Sequence, residues 1–299
     1  MGYSLEGKLV VAITSRALFD LDEADAVYRS LGLAAYREYQ RMRENEPLAP
    51  GTAFPLVQAL LAINVRAAKR LVEVFVLSRN DADSGVRILN SARRHGVDIR
   101  RAAFTDGRDP WKYLAPFRCN LFLSAEPEDV EKALSIRFPA ALILPPPSTI
   151  EEDIEEVRIG FDGDAVLFDD ESERVFQEQG LEAFQRREEA LADVPMNPGP
   201  FEPFLRALHE IQAHFDEAKS PIRTALVTAR SAPAHLRVIN TLRAWKVRVD
   251  ESFFLGGLDK ADVLAALRPH IYFDDQRGHL EQASLRTASA HVPAPWRAP

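Results

Sequence analysis

The chain predicts an α/β fold, parallel sheets with helical crossovers, built from two related halves. Three observations carry this reading. Short β-branched apolar runs alternate with helical patterns along the 299 residues, the signature of parallel strands with crossover helices. From about residue 71 to 133, adding about 150 to a residue number lands on a similar residue without a gap: Arg87 on Arg237, Asn90 on Asn240, Phe104 on Phe254, Gly107 on Gly257. A period of that length is a domain duplication rather than a solenoid. Third, an apolar run ends in Asp162-Gly163-Asp164. Two carboxylates one residue apart at a buried strand end repel, and neither loses water cheaply without a cation or donor. Such a pair points to a divalent-cation or phosphoryl site.

The elements follow in order. Lys8 to Thr14 reads as a buried strand. Leu21 to Glu44 carries two helices broken near Gly32, and Pro47, Pro50 and Gly51 stop them. Pro55 opens a helix to about Asn64, placed where its missing N–H costs little. Val72 to Leu77 is a strand ending in Ser78-Arg79-Asn80. Ser84 N-caps a helix that Gly96 stops, and Val97 to Phe104 leads into a third strand. Leu121 to Ser124 and Ala141 to Leu144 are strands around a helix at Pro127 to Leu134. Pro145-Pro146-Pro147 is a stiff connector. The boundaries predicted are residues 1–150 and 151–299. Whether the halves share one sheet or pack as two is left open.

Composition excludes several function classes. With 45 acidic and 37 basic residues the net charge is −8, which argues against a nucleic-acid footprint. No apolar run of about 18 residues exists, so no membrane span is expected, and the N-terminus lacks a signal-peptide core. The lone Cys119 rules out an internal disulfide framework and fits a reducing, cytoplasmic compartment. Its apolar neighbours argue against a catalytic thiol.

Four stretches of the second half share a pattern: F-D-G-D-A-V-L from Phe161, T-A-L-V-T-A-R from Thr224, L-G-G-L-D-K from Leu255 and I-Y-F-D-D from Ile271. Each sits at a predicted strand or helix end, where α/β sheets bind ligands. In order and spacing they resemble the motifs of haloacid-dehalogenase-type phosphatases. That resemblance implies a Rossmann-like parallel sheet with a helical cap, duplicated here with a degenerate N-terminal copy. It also implies roles. Asp162 is the nucleophile that forms an aspartyl-phosphate. Asp164 is the general acid, then the base. Thr228, with the N–H groups of Ala229 and Arg230, binds the phosphoryl oxygens. Lys260 neutralises charge in flight. Asp162, the main-chain carbonyl of Asp164, Asp274 and Asp275 hold Mg²⁺, with Asp274 favoured over Asp275 as the direct ligand. Oxygen-only ligands suit Mg²⁺ over zinc. About residues 170–220 form the helical cap, which excludes water and reads the leaving group.

The first half lacks this chemistry. The alignment through A-L-F-D (Ala17 to Asp20) and V-L-F-D (Val166 to Asp169) puts Ile13 and Ser15 at the places of Asp162 and Asp164. Pro110 replaces Lys260, and Ser124-Ala125 replaces Asp274-Asp275. Its Thr14-Ser15-Arg16 and Ser78-Arg79-Asn80 leave two readings open: an anion or nucleotide regulator, or strand caps at an interface. His209, His214, His235 and His270 fit no metal spacing.

The wording narrows the resemblance. A-I-T-S-R-A-L-F-D, G-L-A-A-Y-R-E-Y-Q, P-G-T-A-F-P-L-V, F-D-G-D-A-V-L-F-D-D-E-S-E and R-P-H-I-Y-F-D-D-Q resemble the cytosolic type I 5′-nucleotidases across most of the chain. This implies Mg²⁺-dependent hydrolysis of nucleoside 5′-monophosphates, AMP above all, with activation by ADP in some members. A homo-oligomer stays open. The alternatives are a phosphatase of the same mechanism on another small ester, and a catalytically silent nucleotide-binding or scaffold protein.

Overall fold

Leu9–Ile13 is apolar throughout and wholly buried, and forms the first strand of the fold, as a parallel strand covered on both faces must. The structure, a computed structural model, describes residues 3–145, 147 and 156–293. The predicted boundary at 150/151 and the Met1-Gly2 terminus lie outside those residues, as does the middle proline of the connector.

The first half supplies β1 (Leu9–Ile13), β2 (Val72–Ser78), β3 (Arg101–Phe104), β4 (Leu121–Ser124) and β5 (Ala140–Ile143). The second supplies β6 (Val157–Phe161), β7 (Ile222–Thr228), β8 (Glu251–Phe254), β9 (Ile271–Asp274) and β10 (Ser289–His291). All ten join one sheet in the order β3-β2-β1-β4-β5-β10-β9-β6-β7-β8. The order is therefore the same from either edge to the middle. Neighbours run parallel except at the central seam, where β5 and β10 pair antiparallel, Ala290 opposite Ile143 and His291 opposite Leu142.

The helices of the first half are α1 (Ser15–Leu18), α2 (Asp22–Met42), α3 (Phe54–Arg66), α4 (Gly85–Arg94) and α5 (Pro127–Ser135). Those of the second are α6 (Glu171–Ala190), α7 (Glu202–Gln212), α8 (His235–Trp245), α9 (Lys260–Leu267) and α10 (Arg277–Ala283). The predicted break near Gly32 is present: φ 81° and ψ −178° interrupt α2 there. Gly180 interrupts α6 the same way, at φ 80° and ψ 178°. Only glycine enters that region at little cost.

The helices α3 and α7 fasten the halves together. α3 touches β2 of its own half and β6 of the other, while α7 touches β1. Leu56, Leu60, Phe161, Phe204 and Phe273 belong to one continuous core. Of the segment read as a cap, α7 thus lies in the core, with Phe204, Leu205 and Leu208 buried. The exposed apolar side chains Phe176 and Leu181 belong to α6. Cys119 is buried, and burial pushes its thiol up to about 12, an inert packing residue. Among the described residues no helix is long and apolar enough to cross a membrane.

Strand register corrects one part of the sequence alignment. Val11 pairs with Leu121 and Ile159 with Ile271. The Thr14 N–H donates to the Leu123 carbonyl at 2.9 Å, as the Asp162 N–H does to that of Phe273 at 2.8 Å. Thr14 and Arg16, not Ile13 and Ser15, therefore stand where Asp162 and Asp164 stand. The cause is one additional residue in the turn after β6. Phe19 N–H bonds back to Ser15, but Phe168 N–H reaches Gly163, one residue further. Ala165 takes the extra place at φ 64°. Aligning on the A-L-F-D match beyond that turn shifts everything before it by one.

Candidate active site

Parallel strands deliver the expected side chains to one end of the sheet. Asp162 leaves the end of β6, Thr228 ends β7, Asp274 ends β9, and Lys260 opens α9. Asp259 caps that helix, its carboxylate accepting the Ala261 N–H at 2.8 Å, which fixes where Lys260 emerges. The Lys260 ammonium lies 2.8 Å from Oδ1 of Asp162 and 2.8 Å from Oδ2 of Asp274, with all three residues buried. Asp162, Asp274 and Asp275 each bring a carboxylate oxygen within 4.8 Å of the others.

The electrostatics show a site short of positive charge. Burial pushes Asp162 up to about 7, against the pull of Lys260 and with the repulsion of Asp274 added. Burial also acts against the charge of Asp274. There the donors His279, Lys260 and the Gln276 N–H prevail and hold its carboxyl below the usual carboxylate range. The Tyr272 hydroxyl adds a bond to Asp274 Oδ2 at 2.7 Å, and burial followed by that carboxylate keeps the phenol protonated. Lys260 stays charged: burial opposes it, but Asp162 and Asp274 raise its pKa. Three carboxylates around one ammonium leave an excess of negative charge, and every donor atom in the set is an oxygen. A hard divalent cation such as Mg²⁺ fits both facts.

Glycine admits the second element. A Cβ at Gly163 would lie 3.3 Å from the Thr228 hydroxyl, so the bare backbone lets that hydroxyl close on the turn after β6. Thr228 Oγ1 accepts the Arg230 N–H at 3.2 Å, folding the Thr228-Ala229-Arg230 backbone into a tight strand-end turn.

Arg230 is where the geometry departs most from the reading of its sequence. Its side chain is directed at two acids. Nε and Nη2 donate to both oxygens of Asp164, at 2.8 and 2.6 Å, and Nη1 pairs with Glu188. Both oxygens of the Asp164 carboxylate are thereby engaged by Arg230. Sequence reasoning passed over Glu188, Arg237, Tyr272 and His279. The Arg87–Arg237 correspondence was the one available signal, and it named no partner.

The corresponding end of the first half holds a cavity of about 480 Å³ beneath α2, lined among others by Thr14, Arg16, Tyr28, Tyr36, Ser78 and Asn80. Its floor is a neutral network: Ser15 and Ser78 hydroxyls 2.8 Å apart, both bonded to Asn80 Oδ1. The arginines at its rim are paired with carboxylates, Arg16 with Asp25 and Glu126, Arg79 with Asp129 at 2.6 Å.

The family model described as 5′-nucleotidase matches residues 1–298. Human cytosolic 5′-nucleotidase 1B is 37% identical over 286 residues, covering 92% of this chain and 47% of its own length. The chain thus spans about half the length of that curated relative. No solved structure matches.

Proposed function

The chain belongs to the 5′-nucleotidase family, and from that premise we propose that it is a phosphoric monoester hydrolase that converts nucleoside 5′-monophosphates, AMP foremost, to nucleoside and phosphate. The observation that carries the reading is the Lys260 ammonium set 2.8 Å from both Asp162 and Asp274. One buried cation touches the nucleophile and a metal-ligand carboxylate at once. That arrangement suits neutralisation of a transferring phosphoryl group.

In this reading an Asp162 carboxylate oxygen bonds to phosphorus as the bond from phosphorus to the 5′-oxygen breaks. Asp164 gives that oxygen a proton, and the nucleoside leaves. Water then attacks the aspartyl-phosphate and returns its proton to Asp164, releasing phosphate and free Asp162. Thr228 and the N–H groups of Ala229 and Arg230 hold the phosphoryl oxygens, and Lys260 screens their charge. Asp162, Asp274, Asp275 and the main-chain carbonyl of Asp164 would hold Mg²⁺. That ion, when bound, supplies charge neutralisation and favours the ionised form of Asp162.

The duplicated haloacid-dehalogenase-type architecture is supported by the matching strand order of the two half-sheets. The first half is read as the non-catalytic copy. The name of the human relative supports a cytosolic location. The test is phosphate release from AMP with Mg²⁺, with and without chelator, in wild type and Asp162→Asn. Activity that survives Asp162→Asn overturns the mechanism. A panel of nucleotides, sugar phosphates and other small esters decides the substrate class.

A further inference from the structure

We propose that Glu188, outside all four motifs, is a positioning residue for Asp164 that acts through Arg230; the proposal rests on the nucleotidase reading above. Glu188 lies on α6 and its side chain is wholly buried. A carboxylate in that position destabilises the fold unless it is fully paired. Here it is: Oε1 accepts from Ser172 Oγ at 2.8 Å and Arg237 Nη1 at 2.8 Å, and Oε2 pairs with Arg230. Arg230 turns its other edge to Asp164 through two bonds, with Met196 Sδ at 3.3 Å and the Phe184 ring 5.3 Å from its guanidinium carbon. The guanidinium thus has a carboxylate on each side and side chains fixing its plane.

A plain structural role is the competing explanation, because Glu188 also ties α6 to α8 through Arg237. The chain contains its own control for that. In the first half the buried Gln40 of α2 accepts from Arg87 of α4 at 3.0 Å, the same helix-to-helix tie made with a neutral acceptor. Asn80 stands there in place of Arg230, and Gln40 in place of Glu188. Arg16, at the place of Asp164, bonds to Asp25 and Glu126 instead. Where the acid and its arginine are missing, the buried carboxylate is missing too. The tie between helices needs only an amide, so the charge of Glu188 belongs to Arg230 and Asp164.

The geometry gives that charge a task. Asp164 must turn part-way off the guanidinium to reach a leaving oxygen. A second buried carboxylate keeps Arg230 in place and paired while it does so. With glutamine at 188, Asp164 is the sole anion on a buried arginine and is held too tightly to move.

The experiment compares wild type and Glu188→Gln for phosphate release from AMP with Mg²⁺, alongside thermal unfolding. The expected result is a kcat lower by roughly 10- to 100-fold, the usual size of an outer-shell loss, with KM within about twofold, while Tm falls because Arg237 loses its buried counter-charge. In an Asp164→Asn background the same substitution should change kcat no further, since its effect runs through Asp164. The double variant Glu188→Gln, Arg230→Asn copies Gln40 and Asn80 and removes buried charge in a pair. It should fold and also lose kcat, because Asp164 then has no guanidinium to position it. Gln40→Ala should lower Tm and leave kcat alone, marking what a purely structural tie does. Wild-type kcat in Glu188→Gln or in the double variant, or an additive loss in the Asp164→Asn background, overturns the proposal. An inactive wild type overturns the nucleotidase reading and this inference with it. An active wild type with an unaffected Glu188→Gln overturns this inference alone.

Discussion

The Nζ of Lys260 sits 2.8 Å from Oδ1 of Asp162, a buried ion pair at the first residue of a capped helix. Its position is fixed before any substrate arrives, so no reorganisation is needed when charge develops on a phosphoryl group. Lys260→Ala should therefore lower kcat for AMP by about 10²- to 10³-fold. Steady-state kinetics on the purified variant checks this, and a loss confined to KM would show that Lys260 serves binding only.

Metal binding should be visible without turnover. Three carboxylates, each with an oxygen within 4.8 Å of the others, share one ammonium, which leaves an excess of negative charge. A cation that binds only the folded state adds stability by mass action, about 2.7 kcal/mol at a concentration a hundredfold above Kd. Mg²⁺ should raise the Tm of wild type, and chelator should reverse it. Asp274→Asn should lose most of that rise, because it removes a full charge from the cluster. Thermal scans across a Mg²⁺ titration are the measurement, and an equal rise in both proteins would place the ion elsewhere.

Acid stability should depend on a histidine remote from the chemistry. His270 precedes β9, and its Nδ1 accepts the Arg158 N–H at 3.1 Å. Burial first, then the charge of Arg158, lowers its pKa from 6.5 to about 4. The unfolded chain therefore binds this proton more readily than the folded one. The contribution is fully present above about pH 6.5 and is lost as pH falls toward 4, up to about 3 kcal/mol in all. His270→Gln, which keeps an acceptor without a titrating ring, should flatten that part of the stability profile. Urea unfolding at pH 7, 5.5 and 4.5 checks it through the difference between the two proteins.

Much of this architecture was legible because local rules agreed with the global fold. Strands such as Leu9–Ile13 and Val72–Ser78 are continuous apolar runs, and the break at Gly32 is where only glycine takes the backbone. Asp162, Thr228, Lys260 and Asp274 could be placed because each ends a strand or opens a helix. What was hidden depends on distant parts of the chain. The three-residue β10 has no pattern of its own, yet its pairing with β5 unites the two half-sheets. Glu188 lies in the last turn of α6 beside Glu189, and only the fold brings it to Arg230. The one-residue error at Thr14 and Arg16 came from a left-handed Ala165, and backbone handedness leaves no mark on an alanine.

The first half offers the sharpest check on where catalysis resides. Thr14 occupies the place of Asp162 and Ser78 that of Thr228, but no counterpart of Lys260, Asp274 or Asp275 accompanies them. A hydroxyl lacking a base, a cation and a charge-neutralising lysine is not activated as a nucleophile. The rim arginines already face carboxylates, so phosphate would have to displace an ion pair to bind there. Thr14→Ala and Ser78→Ala should each leave kcat and KM for AMP within about twofold of wild type, the size of effect ordinary for residues away from the reacting atoms. Asp162→Asn should abolish turnover. Steady-state kinetics on the three variants, with Tm measured to confirm folding, decides it. A kcat loss of tenfold or more in a well-folded Thr14→Ala would place part of the chemistry in the first half.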